Sequence, residues 1–119
     1  MASYSRVHLS GSTNGKPIPV AATATPGTLL HTAVAGATSF DEIYLWAANV
    51  SGAAVVLTVQ WGGTGDPAEV LVRQVSIPAN SALVPIALGQ VLNNGLIVRA
   101  FAGTASDINI TGYINRITA

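Results

Sequence analysis

Residues 11–16, GSTNGK, come close to the loop that binds nucleotide phosphates. That loop needs four residues between its glycines and a Ser or Thr after the lysine, whose hydroxyl binds Mg²⁺. Here three residues separate Gly11 from Gly15, and Pro17 follows Lys16. A Pro-X-Pro stretch favours extended backbone, so no helix N-terminus follows to bind an anion. The segment is therefore predicted to be a polar turn that leads into an extended segment.

A second glycine cluster, WGGTGDP at 61–67, also has no helical pattern after it. Glycine supplies the positive φ angles that a loop between strands needs, and Asp66-Pro67 is a turn starter. One carboxylate supplies far fewer than the six to eight oxygen ligands that Ca²⁺ takes. We expect a loop here, and no metal site or cofactor.

Nucleophilic catalysis needs a base beside a nucleophile, and the chain has no cysteine and only two histidines. His31 lies in an apolar run and is predicted to be a partly buried, hydrogen-bonded strand residue. Ser10 would share a strand face with His8, but no carboxylate nearby in sequence orients that ring. Asp41 and Glu42 are adjacent and point to opposite faces of a strand, which is wrong for a paired acid/base site. We expect no catalytic residues and no enzyme.

Aromatic residues are the remaining candidates for ligand binding. Tyr44 and Trp46 are two residues apart and share a strand face. With Asp66 they form a possible carbohydrate-binding face. Trp61 ends an inward-facing apolar row and is predicted to pack in the core. For Trp46 the pattern allows two placements, in the core or at a subunit interface.

The charge content is unusually low. Charged residues make up 8% of the 119 residues, and the formal net charge is zero, whereas an average soluble domain has roughly 25% charged residues. Half of the residues are hydrophobic, which excludes a disordered chain. A chain with few charges and no net charge tends to associate, so we expect other subunits to cover much of the surface. The alternative is a monomer whose surface is coated with Ser, Thr, Asn and Gln.

The same composition excludes several partners. The five basic residues stand one at a time along the chain, whereas a nucleic-acid surface needs several close together. The N-terminus lacks the basic and apolar regions of a signal peptide, and no run approaches the roughly 18 to 20 apolar residues of a membrane helix. We expect no nucleic-acid or membrane partner, and synthesis in a cytoplasm.

The segments that contain these residues are predicted to be strands. Short runs rich in Val, Ile, Leu and Thr recur about every ten residues between Gly, Asn, Pro and Ser clusters, which predicts an all-β antiparallel sandwich or barrel. Strands are predicted at 28–35, 42–50, 53–61, 69–77, 82–88, 96–102 and 107–117, with a weaker pair at 5–9 and 17–20. Pro85 has no N–H to donate, so its strand should lie at a sheet edge or contain a bulge.

The N-terminal segment differs from the rest. It is rich in small residues and proline and has few large apolar side chains. We expect an extended arm over residues 1–25, lying on the domain or on a neighbouring copy. Residues 26–119 then form the sandwich domain.

Three stretches carry a resemblance to a known class of proteins: NVSGAAVVLTVQWGG (49–63), LNNGLIVRAFAG (92–103) and ITGYINRI (110–117). They resemble small virion proteins of tailed bacteriophages, of the head decoration (cement) and head-fibre-base type. The resemblance covers roughly residues 40–117. It implies a β-sandwich, in particular a jelly-roll, and a non-enzymatic structural role on the phage head. It carries over no catalytic or ligand residue.

Together these inferences predict a capsid decoration protein that stabilises a bacteriophage capsid through contacts with the capsid protein and with its own copies. A homo-oligomer is expected, with a trimer favoured. The expected contact residues lie in the arm and on exposed strand faces: Arg6, His8, Lys16, Pro17, Ile18, Val20, Arg99 and Arg116. The alternatives are a carbohydrate-binding module that uses Tyr44, Trp46 and Asp66, and a fibre or tail component.

Overall fold

Strands form where the sequence predicts them. A computed structural model describes residues 3–118. Its strands are β1 (Ser3–His8), β2 (Ile18–Pro19), β3 (Thr28–Thr32), β4 (Phe40–Asn49), β5 (Val55–Trp61), β6 (Val70–Ile77), β7 (Val84–Leu92), β8 (Ile97–Ala102) and β9 (Ile108–Thr118). The seven predicted strands and the weaker N-terminal pair are thereby confirmed in place, with shifts of a few residues at their ends.

The strands form two antiparallel sheets packed as a β-sandwich. The first sheet has the order β1-β9-β4-β7, with β2 also paired to β9, and the second has the order β3-β8-β5-β6. The pairing is nested along the chain: β1 pairs with β9, β3 with β8, β4 with β7, and β5 with β6. The all-β antiparallel sandwich predicted from sequence is confirmed.

Alternation along β4 and β9 separates the core from the surface. In β4 every second residue from Asp41 to Asn49 is buried, and the residues between them are half-buried on the outer face. In β9 the isoleucines Ile108, Ile110 and Ile114 point inward, as their spacing predicts. β8 lies between two neighbours, which agrees with its apolar residues on both faces.

The N-terminal segment is joined to the sandwich over its described part, residues 3–25. β1 pairs along its whole length with β9. Leu9, Ile18 and Val20 are buried in the core. Met1 and Ala2 of the expected arm, and Ala119 of the expected sandwich domain, lie outside the described residues.

The edge strand β7 confirms the prediction made from Pro85. β7 pairs only with β4, and the register shifts between Leu45 and Trp46, opposite Ala87 and Pro85. A second shift lies beside Gly89, which has φ +93°. The proline and the bulges therefore lie at the edge of the first sheet, where a missing N–H disrupts the least pairing.

Candidate functional site

The outer face of the first sheet carries the aromatic residues that the sequence marks out. Tyr44 of β4 pairs directly with Tyr113 of β9, and Trp46 lies beside both. The Tyr44 and Tyr113 ring centroids are 5.0 Å apart with an angle of 17° between the ring planes. At that distance the two nearly parallel rings are stacked with an offset, the arrangement that aromatic pairs prefer.

The aromatic stack continues across β1, β9, β4 and β7 of this sheet. On one side the guanidinium carbon of Arg6, in β1, lies 4.8 Å from the Tyr113 ring centroid, a cation–π contact. On the other side the phenol end of Tyr44 leans over Gly89 of β7, where an added Cβ would lie 3.1 Å from the Tyr44 hydroxyl oxygen. Each group therefore covers the next: Arg6 on Tyr113, Tyr113 on Tyr44, and Tyr44 on Gly89.

This stacking decides what the aromatic residues can bind. The facing sides of Tyr44 and Tyr113 are occupied by each other, and the other side of Tyr113 is occupied by Arg6. A sugar ring stacks on an open aromatic face, so the Tyr44–Tyr113 pair offers it little surface. Trp46, with ring centroids 6.3 Å from Tyr44 and 6.1 Å from Tyr113, belongs to the same half-buried group.

A row of polar side chains runs next to the aromatic stack. On the outer face, Arg6 of β1 is opposite Asn115 of β9, which is opposite Glu42 of β4. These three residues, which we call the polar row, line an open depression of about 410 Å³ together with Tyr4 and Ser5. In the described part of the chain, the side chains of the polar row make no hydrogen bond. Arg6 makes a cation–π contact with Tyr113 instead.

A second polar group is buried between the two sheets. The Asp41 carboxylate accepts hydrogen bonds from His31 Nε2 at 2.8 Å and from Arg116 Nε and Nη2 at 2.8 and 3.1 Å. It also accepts the backbone N–H of Val34 at 3.0 Å. His31 belongs to β3, in the second sheet, whereas Asp41 and Arg116 belong to the first. The His31–Asp41 hydrogen bond therefore links the two sheets inside the sandwich.

Hydrogen bonds assign the protonation states in this cluster. His31 Nδ1 accepts the backbone N–H of Ser10 at 3.0 Å, so its proton is on Nε2, facing Asp41. Burial lowers the pKa of His31 and keeps the ring neutral. Burial alone would raise the pKa of Asp41, but hydrogen bonds from Arg116 and His31 outweigh it and hold that pKa below its usual value.

The buried cluster resembles a catalytic arrangement only in residue type. A general base needs a free nitrogen that reaches a nucleophile or a substrate. Both nitrogens of His31 are already bonded, and the side chains of His31 and Asp41 have almost no exposure. The Ser10 hydroxyl accepts the backbone N–H of Thr32 and makes no bond to the imidazole. The prediction that His31 is a hydrogen-bonded strand residue is confirmed, but the residue is completely buried rather than partly buried.

The two glycine-rich segments are loops. In the first, Ser12 and Lys16 donate backbone N–H bonds to Leu9 and Thr13, and Asn14 has φ +54°. The predicted turn is confirmed. No helix follows it before β2.

The second glycine-rich loop, 62–69, already holds an anionic group of its own. The Glu69 carboxylate accepts the backbone N–H of Gly65 at 2.8 Å. A Cβ at Gly63 would overlap that carboxylate. The glycines therefore make room for the loop's own acid rather than for a phosphate. Residues 3–118 contain no group of three or more His, Asp or Glu side chains that could hold a metal ion.

The residues predicted to contact other subunits are divided by the structure. Arg6, His8, Lys16 and Pro17 are exposed. Ile18 and Val20 are buried in the core of their own chain, so their side chains are not available to another subunit. They are removed from the expected interface because β2 packs against β9 instead of extending outward.

The two arginines of that predicted set are both half-buried. Arg116 faces the interior, with its side chain 29% exposed and bonded to Asp41. Arg99 is half-buried on β8, and its Nη1 donates to the backbone oxygen of Gly27 at 3.4 Å. Arg116 therefore takes part in holding its own domain together, whereas Arg99 retains some exposed surface.

The residues of the predicted carbohydrate face are not all brought together. Tyr44 and Trp46 lie on the first sheet, whereas Asp66 lies in the β5–β6 loop of the second sheet. Asp66 is paired there with Arg73, whose hydrogen bonds lower the pKa of the Asp66 carboxyl. Trp61 packs against the core, as predicted.

The chain matches no protein-family model, no curated protein and no solved structure. Residues 3–118 also contain no helix long and apolar enough to cross a membrane.

Sequence reasoning missed Tyr113 and Asn115. Their spacing places both on the other face of β9 from the inward-pointing isoleucines, so alternation along the strand could have identified them as outer-face residues. Their neighbours on the adjacent strands, Arg6 and Glu42, are more than 70 residues away in sequence. Only the pairing of β9 with β1 and β4 brings the four residues together.

Proposed function

We propose that this chain is a structural virion protein that decorates and stabilises a bacteriophage capsid, as a homo-oligomer bound to the capsid protein. The resemblance of residues 40–117 to phage decoration proteins and the scarcity of charge both favour this role. The mechanism is the summation of many weak contacts across a lattice, where each bound contact raises the effective concentration of the next. Under this proposal the protein works on the phage head surface.

The observation that carries the proposal is an exposed apolar edge on the first sheet. Leu88 and Val91 of β7 are 59% and 54% exposed, and Leu83, just before β7, is 56% exposed. β7 contains no charged residue. Sheets usually protect an edge strand with charges, and exposed apolar surface marks interaction sites. A second chain that covers β7 accounts for this edge.

Contacts at this edge rest on side-chain packing rather than on regular strand addition. Pro85 has no N–H, and the N–H of Leu88 is already bonded to Gln90 Oε1 at 2.7 Å. Two register shifts also interrupt the strand. A partner strand would therefore find few evenly spaced backbone groups, whereas Leu88 and Val91 present apolar surface directly.

We also propose that the sandwich is a jelly-roll. When the two-residue β2 is set aside, eight strands form two four-stranded sheets, as a jelly-roll requires. The nested pairs described above correspond to one long hairpin, with its tip at the β5–β6 loop, that is rolled into two layers. This pairing supports the jelly-roll that the phage resemblance implies.

Light scattering across a hundredfold dilution tests the proposal. We expect a small closed oligomer, with a trimer favoured, that persists on dilution. Leu88→Glu should convert it to monomers, because the new charge would be buried at the contact. Val56→Glu, at an exposed position of β5 in the second sheet, is the matched control and should leave the mass unchanged.

A wild-type protein that stays monomeric at every concentration would contradict the proposal. If the oligomer forms, its retention on capsids assembled without this protein is the second test. Retention on heads would support the role on the capsid. Retention only on isolated tails or fibres would identify the protein as a fibre or tail component instead.

A further inference from the structure

The polar row, Arg6, Asn115 and Glu42, has unused hydrogen-bonding capacity. Asn115 and Glu42 are half-buried. Together the three side chains present the guanidinium N–H donors, the amide donor and acceptor, and two carboxylate oxygens. Arg6 is held in place by its cation–π contact with Tyr113, which leaves its in-plane N–H groups free to donate.

The row is also balanced in charge. Arg6 contributes one positive charge and Glu42 one negative charge, and Asn115 lies between them on the middle strand. The row has no net charge, so it gives no net electrostatic attraction to an anionic or a cationic ligand. The row therefore favours a neutral ligand that offers both donors and acceptors within a short distance, as neighbouring hydroxyl groups do.

An open aromatic ring lies on the side of the polar row away from the aromatic stack. Tyr4 is 75% exposed, and it precedes Arg6 by two residues on the same face of β1. Its ring is therefore displaced from the row by about 7 Å along the strand. Tyr4 has no ring partner in the described part of the chain, so its face is available, in contrast to Tyr44 and Tyr113.

We propose that this depression binds a neutral saccharide. The hydroxyl groups of one sugar ring bond to the polar row, and the apolar C–H face packs on Tyr4. The depression of about 410 Å³ is open to solvent, so these side chains, rather than an enclosing cavity, would hold the sugar. This site differs from the face predicted from Tyr44, Trp46 and Asp66, and it does not depend on the proposed virion role.

Saturation-transfer NMR with a panel of neutral sugars tests the proposal. The panel contains glucose, galactose, mannose and N-acetylglucosamine, with maltose, cellobiose and lactose as disaccharides. We expect transfer to at least one sugar, with a dissociation constant in the millimolar range. Glu42→Gln and Tyr4→Ala should each weaken binding about tenfold or more. Asp66→Asn is the matched control and should leave binding unchanged.

Three results would overturn the saccharide site. The first is that no sugar in the panel receives saturation from the wild-type protein. The second is that sugar binding is undiminished in both Glu42→Gln and Tyr4→Ala, whether or not Asp66→Asn affects it. The third is that Glu42→Gln, without any effect on a sugar, changes the mass seen by light scattering, which would make this face a protein contact. Glu42→Gln preserves side-chain shape on the outer face, so its thermal melt should match the wild type.

Discussion

Replacing Asp41 with Asn should destabilise the domain strongly, although the two side chains have nearly the same shape. Asp41 Oδ2 accepts from His31, Val34 and Arg116 Nη2, and Oδ1 accepts from Arg116 Nε. An Asn side chain has one oxygen and one NH₂ group. Whichever way it is turned, its NH₂ group faces at least one N–H donor, and the Arg116 charge loses its counter-ion.

The magnitude follows from the burial of the cluster. Breaking a buried ion pair by removing one partner costs about 3 to 5 kcal/mol. Arg116 retains 29% side-chain exposure and gains some compensation from water. We therefore expect a loss of about 3 kcal/mol in the free energy of unfolding, at the lower end of that range.

Urea unfolding, followed by tryptophan fluorescence at one protein concentration, measures this loss. With a slope of about 1.5 kcal/mol per molar urea, the midpoint should fall by about 2 M. Asp66→Asn is the matched control, because Asp66 also has an arginine partner, Arg73, but both side chains are more than half exposed. The control midpoint should barely move. An Asp41→Asn midpoint that falls no further than that of the control would contradict the stabilising role of the Asp41 carboxylate.

Two further predictions concern pH and backbone packing. Because burial lowers the pKa of His31 below 6.5, the unfolded chain takes up a proton at a higher pH than the folded chain, so stability should fall as pH drops below about 6.5. Thermal melts between pH 8 and 5 should show this slope, and His31→Gln should flatten it; an equal slope in that variant would contradict the assignment. Gly112→Ala should cost about 3 kcal/mol, because its Cβ would overlap the carbonyl oxygen of Tyr44 in the paired strand. Gly52→Ala, where a Cβ meets nothing within 4 Å, is its control in the same urea assay, and equal midpoints would contradict the clash.

Strand positions were predictable because the cause of each strand is local. Alternation of apolar and polar residues in β9 shows which side chains point inward without knowledge of any partner strand. Pro85 likewise predicts an edge or a bulge from its own missing N–H. The apolar neighbours of His31 predict partial burial and hydrogen bonding, whereas the structure buries this side chain completely.

The roles of the polar residues were harder to predict, because each role depends on a distant partner. Arg116 looked like an exposed interface residue, but its partner Asp41 is 75 residues away. Ile18 and Val20 looked like part of an arm, because the strand they pack beside, β9, comes about 90 residues later. Tyr4, Arg6, Glu42 and Asn115 show no common motif in the sequence.

By itself, the sequence determined that this is an all-β chain of low charge, with strands at known places and apolar faces that must be covered. These properties follow from side-chain chemistry and a two-residue repeat, which act within a few residues. Which strands become neighbours is evident from the folded chain alone. This arrangement buried Asp41 with His31 and Arg116, covered Tyr44 with Tyr113, and left Glu42 and Asn115 open beside Tyr4. The physical reason is that strand pairing joins residues through backbone hydrogen bonds over any sequence separation, and the local pattern carries no record of the partner.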